Sequence, residues 1–232
     1  VLEFKIMSEF QLLLASTSPR RRELLSWLFP EFGIYASDID ESVHEKEEPA
    51  TYVLRMAREK ALKAISENEA FPYVIASDTI VVYNQRVLGK PEDAENARAM
   101  LKDLRGKIHK VFTAIAVATP QYGVVLLDCC VADVPMRHYT DAEIEAYIDS
   151  GDPFDKAGSY AIQNDVFHPV ERFSGCFACV MGLPLCHLVR QLKKQGFSNI
   201  ENPSSICFKQ LDYDCKISSS VLANTDQITC CY

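Results

Sequence analysis

The sequence predicts an α/β fold of the mixed α+β kind, folded as one continuous two-lobed body around a cleft. Two observations predict it. Apolar runs of strand length alternate with stretches of helical periodicity, and the Thr119–Gly123 connection is too short for a helical crossover, so a hairpin is inserted among the βα units. No internal repeat or domain boundary is detectable, which assigns residues 8–199 to a single domain and leaves 200–232 as a cysteine-containing tail.

In chain order, the run LLLA at 12–15 reads as a short buried strand that stops at Ser16-Thr17-Ser18-Pro19. Ser18 followed by Pro19 is a helix start, a hydroxyl cap and then proline at the first helical position. Leu24, Leu25 and Leu28 form the stripe of that helix, which ends before Pro30, and a second strand covers about 33–37. An acidic irregular stretch, 38–49, precedes a helix over 51–66 with Val53, Met56, Ala57, Ala61, Ala64 and Ile65 inward. The run YVIASDTIVVY at 73–83 has buried-strand flanks but a polar centre, Ser77-Asp78-Thr79, which needs a reason. A Gly89-Lys90-Pro91 turn and a helix over 94–104 follow. Strands are expected at 110–119, 123–134 and 176–181, with a helix at 141–149 opened by a Thr140/Glu143 capping box. Pro184 starts a further helix closed by Gly196, and the Asn, Ser and Asp content beyond 200 suggests a loosely packed tail.

Composition bounds the function. With 48% hydrophobic residues, 12 Phe and 10 Tyr in 232 residues, there is ample material for a sizeable core. A formal net charge of −8 repels a nucleic-acid backbone, and the arginines at 20–22 suffice for one small anionic ligand only, so no nucleic-acid partner is expected. No 18-residue apolar run is present and the opening VLEFKIM lacks a secretory pattern, so the expectation is a cytoplasmic chain with no membrane partner. That opening is either a remnant or alternative start ahead of Met7, or a short ordered lead-in to the first strand. All nine cysteines lie at or beyond 129. Cys176 and Cys179 have C-x₂-C spacing inside the apolar run GCFACVMG, and small buried hydrophobes are the leading reading; a tail disulfide, or zinc drawing on Cys207 and Cys215, are the alternatives.

Six places carry candidate chemistry. In ASTSPRRRELL, a strand feeds a helix N-terminus whose free N–H groups and positive dipole end suit an anion, yet three arginines occupy the first turn. Arg20 and Arg21 with Ser16 and Ser18 therefore read as a phosphate-binding corner, against a solvated basic turn. Asp78 in an apolar strand is costly unless it is paired or metal-bound, so it reads as a metal ligand or base for water, against a structural aspartate. Thr79 either orients that water or metal shell or is a satisfied strand hydroxyl. Lys60 borders the apolar face of its helix, either snorkelling or neutralising phosphate charge, and Lys90 is held in a bend that suits polyphosphate but is also a common surface turn. Glu41 belongs to an acidic run whose default is a solvated face, although a hard-oxygen metal site can draw on it. In DPFDKAGSYAIQ, Asp155, Lys156 and Gln163 mix with aromatic and small residues as in a pocket wall; the Gln163 amide can read a base edge or ribose, against a plain polar loop.

Taken in order over about residues 11–197, ASTSPRR, YVLRMAREKA, ASDTIVV, GKPEDAENARAMLKDLRGKIHKVFTAIAV, DKAGSYAIQ and VMGLPL resemble the Maf family, the septum-formation inhibitor-like nucleotide pyrophosphatases. The resemblance implies a Maf/ITPase-like fold, a central mixed twisted sheet flanked by helices with an active-site cleft. It implies Asp78 as the catalytic carboxylate and Glu41 as a metal-associated acid, with Mg²⁺ or Mn²⁺ as cofactor. It further implies Arg20, Arg21, Lys60 and Lys90 at phosphate-binding positions, Ser16 in the same loop, and Gln163 positioning a nucleoside triphosphate substrate. DKAGxYxIQ resembles the branch preferring dTTP and UTP, a house-cleaning enzyme for modified pyrimidine nucleotides being a further reading, and by analogy a homodimer is favoured. Ala161 and Asn164 stand where glycines are common in the family, and the following segment lacks its usual glycine-rich turn. The alternative function is a non-catalytic nucleotide-binding regulator linked to septum formation.

Overall fold

The computed structural model describes residues 12–223; the lead-in before Leu12, and Cys230 and Cys231, lie outside them. A six-stranded mixed sheet organises the chain: β1 (Leu12–Leu14), β2 (Gly33–Ile34), β3 (Tyr73–Tyr83), β4 (Arg86–Leu88), β5 (Ile108–Thr119) and β6 (Gly123–Pro135), in the order β2-β1-β3-β5-β6 with β4 on β3. β1 is parallel to β2 and β3, while β3, β5 and β6 run antiparallel, the last two joined by the short turn expected to make a hairpin. The second strand is shorter than the 33–37 expected, because only Leu13 and Leu14 are available for it to pair with.

Helices α1 (Pro19–Ser26), α2 (Pro49–Glu67), α3 (Ala94–Leu104) and α4 (Asp141–Asp149) fall where the apolar periodicity put them. Thr140 and Glu143 form the capping box read from the sequence. At α1 one detail differs. Pro19 does open the helix, but the Ser18 side chain makes no cap; instead the Ser18 N–H donates to Ser16 Oγ at 3.2 Å, a turn closed before the helix begins.

The strand expected over 176–181 is a helix, α5 (Phe177–Met181), followed by α6 (Leu185–Lys194). A five-residue apolar run has no period that separates strand from helix, and the ending decides it. Gly182, at φ +109°, donates to Ala178 and Cys179 carbonyls, and the Leu183 N–H reaches back to Ala178 at 2.9 Å, a Schellman closure.

The tail expected to be loose is built, over its described part, from α7 (Pro203–Leu211) and α8 (Ser218–Ala223). Ile206, Cys207 and Val221 are buried, and α6 is buried from Leu185 to Leu192 partly beneath these helices. The polar composition was misleading because Asn202 caps α7, its side chain accepting from the Ser204 N–H.

Three apolar clusters hold the body. One packs α1, α5 and α6 on one face of the sheet, and a second packs α2 on the other. A third gathers α3, α4 and the far ends of β3, β5 and β6 around Tyr139, Tyr147 and Phe167. Cys129, Cys130, Cys176, Cys179, Cys186 and Cys207 are buried, in keeping with small core hydrophobes. No group of three or more His, Cys, Asp or Glu among the described residues is arranged to hold a metal ion, so the zinc alternative finds no ligand set there. No helix among the described residues is long and apolar enough to cross a membrane.

Candidate active site

The polar centre of β3 has its reason in the sheet. One edge of β3 is paired with β5 from Val74 to Val82. On the other edge β1 pairs only with Tyr73–Ile75 and β4 only with Val81–Tyr83. Between them Ala76–Ile80 face a gap, and a cleft of about 610 Å³ opens there, within the roughly 300–1,000 Å³ usual for small-molecule sites.

Strand alternation divides the polar residues between the two faces. Asp78 points with Ala76 and Ile80 toward α2, where Lys60 Nζ donates to its Oδ1 at 2.6 Å. The same ammonium lies 2.8 Å from Glu41 Oε1, so one cation joins two carboxylates. Lys60 is 9% exposed and Asp78 8%, while the Glu41 side chain is more than half exposed. The acidic run carrying Glu41 is not left to solvent. Tyr52 on α2 donates to the Glu41 carbonyl at 2.9 Å, and Arg55 binds the Ser42 carbonyl and both carboxylate oxygens of Glu47. The Arg55 guanidinium holds Glu47 down at about 2, and burial with the nearby Asp78 and Glu41 charges pushes the Tyr52 phenol up to about 12.

Ser77 and Thr79 face α5. Ser77 Oγ is 2.8 Å from both the Gly182 and Ala114 carbonyls. Arg21 is held by three contacts: Nε to the Gly182 carbonyl at 3.0 Å, Nη1 to Ser16 Oγ at 3.2 Å and Nη2 to Thr79 Oγ1 at 3.1 Å. Thr79 is paired in turn with the Thr113 hydroxyl at 3.0 Å. Burial lowers the pKa of Arg21, opposed by the Asp78 charge. Three of its five N–H groups are engaged by the described residues, leaving two for an anion.

Arg20 lies at the mouth, its Nη1 3.1 Å from Asp155 Oδ2. Lys90 lines the cleft in the turn after β4 and makes no ion pair among the described residues. That turn is tied to the opposite loop, since the Gly158 N–H donates to the Gly89 carbonyl at 3.0 Å. Ser18 and Gln163 also line the cleft, and Gln163 Oε1 is shielded from solvent without a hydrogen-bond partner among the described residues. Every residue singled out from the sequence thus borders one cavity, with Thr79 and Ser16 serving mainly to hold Arg21. Sequence reasoning placed Lys156 in the pocket wall, where it lies, but missed Tyr52 and the Gly182 carbonyl. Only the last carried a signal, a glycine closing an apolar run.

The cleft has two characters. Arg20, Arg21, Lys60, Lys90 and Lys156 outnumber Glu41, Asp78 and Asp155, giving a positive interior in a chain of net charge −8. Its further wall is apolar, with Val81, Leu88, Val111, Tyr160 and Val180. Asp78 and Glu41 converge on the Lys60 ammonium, and their remaining carboxylate oxygens are the hard donors of the cleft that could hold a divalent ion together with phosphates and water.

Comparison with known proteins agrees in extent with this site. The chain is 40% identical over 191 residues to the dTTP/UTP pyrophosphatase of Geotalea uraniireducens (strain Rf4), covering 82% of this chain and 98% of that protein. It is 44% identical over 191 residues to the dTTP/UTP pyrophosphatase of Colwellia psychrerythraea (strain 34H / ATCC BAA-681), covering 81% and 89%. A solved structure, the nucleoside-triphosphatase / dITP/XTP pyrophosphatase of Mycobacterium abscessus, aligns over 54% of this chain and 74% of its own at 17% identity and TM-score 0.34, too weak a likeness to argue from. The family model described as Maf-like protein matches residues 11–195, a span holding the whole cleft from Ala15 to Gly182, and the chain belongs to that family.

Proposed function

We propose that this chain hydrolyses dTTP and UTP at the α-phosphorus, releasing the monophosphate and pyrophosphate. The observation that carries the reading is the Lys60 ammonium joining Asp78 and Glu41 beside a cationic corner, at the gap in the sheet. Relatives of about 40% identity named for this activity support it. A non-catalytic regulator would need the cationic corner but not an aspartate held at a sheet gap with one oxygen unengaged among the described residues.

The arrangement suits in-line displacement. Arg20, Arg21 and Lys90 take the triphosphate oxygens, and the apolar wall with Gln163 takes the pyrimidine, the shielded Oε1 being suited to a donor on the base or ribose. Lys60 occupies Asp78 Oδ1, and Oδ2, which has no partner among the described residues, accepts a proton from water as that water attacks the α-phosphorus. The bond to the bridging oxygen breaks, and the charge on the departing pyrophosphate is neutralised by the arginines and Lys90. Mg²⁺ or Mn²⁺, held by Asp78 and Glu41 with the substrate, would supply further charge neutralisation on the phosphate oxygens and fix their orientation.

A product assay over canonical and modified nucleoside triphosphates, with Mg²⁺ or Mn²⁺, tests this beside Asp78→Asn. Monophosphate and pyrophosphate should form, fastest from dTTP, UTP or a modified pyrimidine triphosphate. The variant should lose about 10³-fold or more in kcat, within the range for a general base acting with electrostatic support. A folded, metal-supplied protein that turns over no nucleotide would place the regulatory reading first.

A further inference from the structure

Among the described residues, Asp155 is the one acid lining the cleft that the mechanism leaves without a task. It stands in the turn Asp152–Asp155, on the wall opposite α1, and its carboxylate reaches across to Arg20 Nη1 at 3.1 Å. Arg20 makes no other hydrogen bond to the described residues, so Nε and Nη2 remain for an anion. The carboxylate is itself fixed. Lys156 Nζ, buried, donates to Asp155 Oδ1 at 2.5 Å and to Asp152 Oδ1 at 2.9 Å. The other Asp152 oxygen accepts from Asn164 Nδ2 at 3.2 Å and the Tyr147 hydroxyl at 2.6 Å, and that hydroxyl accepts from the Ala161 N–H at 3.0 Å. A continuous polar chain therefore runs from the phosphate corner to the Ala161–Asn164 turn that carries Gln163.

We infer that Asp155 is a positioning residue: from across the cleft it fixes the Arg20 guanidinium in the attitude that receives the triphosphate, and it ties that corner to the turn bearing Gln163. This rests on the triphosphate reading above. The sign of the effect separates positioning from simple competition. An acid that merely competed with phosphate for Arg20 would weaken binding, and its removal would tighten it. An acid that positions Arg20 lets one edge of the guanidinium bind carboxylate while the other binds phosphate, and its removal loosens binding. The Asp155 side chain is 55% exposed, so a modest effect is expected.

The test measures kcat and KM for dTTP and, by calorimetry, the dissociation constant for inorganic triphosphate, in Asp155→Asn, Asp155→Glu, Arg20→Ala and the Asp155→Asn/Arg20→Ala pair. Asp155→Asn should raise KM and the triphosphate dissociation constant about fivefold, as loss of one partly exposed charge-assisted contact implies, with kcat within about twofold. Asp155→Glu should recover most of that, and in the Arg20→Ala background Asp155→Asn should change neither constant. Tighter or unchanged triphosphate binding in Asp155→Asn, or an equal loss with Arg20 already removed, overturns the inference. If the parent protein hydrolyses no nucleotide, the proposed function fails while the triphosphate titration still decides the role of Asp155.

Discussion

Lys60 shows how much of a site one side chain settles. Its stem lies along the apolar face of α2 and its ammonium ends between two acids, so the two readings its sequence position allowed, snorkelling and charge neutralisation, are the two ends of the same residue. His109 poses the opposite problem. It is buried on β5, with Nε2 2.7 Å from the Tyr160 hydroxyl and Nδ1 without a partner among the described residues. Burial holds it near pKa 4, below the usual 6.5. The unfolded chain therefore takes up a proton at this residue below about pH 6.5 while the folded chain resists until about pH 4, so stability falls with pH across that window. Urea denaturation at pH 4.5, 5.5 and 7 should show a loss on the order of 2 kcal/mol that His109→Gln reduces. Equal slopes in the two proteins would remove His109 as the source. Asp78 was legible because a carboxylate amid Val and Ile is conspicuous, whereas Glu41 was singled out by the family resemblance, since nothing local separates it from the neighbouring acids of its run.

At the scale of elements, periodicity located the helices that present one face to the sheet, the Pro184 and Gly196 signals located α6, which is buried over most of its length, and periodicity failed where an element is short. α5 is the instructive case, five residues with no period, whose identity lies in the residue after it. Gly182 closes α5 with a backbone most side chains avoid and aims its carbonyl at Arg21 and Ser77. A Cβ there would stand 3.2 Å from Arg21 Nε and 3.3 Å from Thr79 Oγ1. Gly182→Ala should cost about 1–2 kcal/mol through the strained φ. By displacing Arg21 it should also lower kcat/KM about tenfold or more. Thermal denaturation and steady-state kinetics read the two effects separately, and stability lost with kinetics unchanged would uncouple the cap from the site. α7 was missed although its signal, Asn202-Pro203, is of the same kind as the Ser18-Pro19 pair that placed α1; the polar residues around it outweighed the cap.

Over the whole molecule, long-range pairing was the least legible part. The alternation of elements pointed to a mixed sheet, but no local pattern tells that β1 and β4 stop short of each other along β3, which is what opens the cleft. Nor does the sequence announce the buried group under α8, where Arg190 binds Asp128 and the Val221 carbonyl while Gln191 Nε2 donates to Asp128 at 2.8 Å. Arg190→Ala leaves the fully buried Asp128 without its countercharge and should cost about 3–5 kcal/mol, measured by denaturant unfolding. A loss below about 1 kcal/mol would mean that water or rearranged neighbours satisfy the carboxylate. β3, β5 and β6 extend from the clusters beside α1 and α2 to the one around α3 and α4, so the elements that wall the cleft are packed on one shared ladder. Swinging the walls apart as independent plates would require bending or breaking that shared ladder, so admission and release of a nucleotide are expected to fall to side chains such as Arg20 and Lys90 and to the loops at the rim, on the nanosecond-to-microsecond scale of loop motion instead of the slower scale of domain rotation.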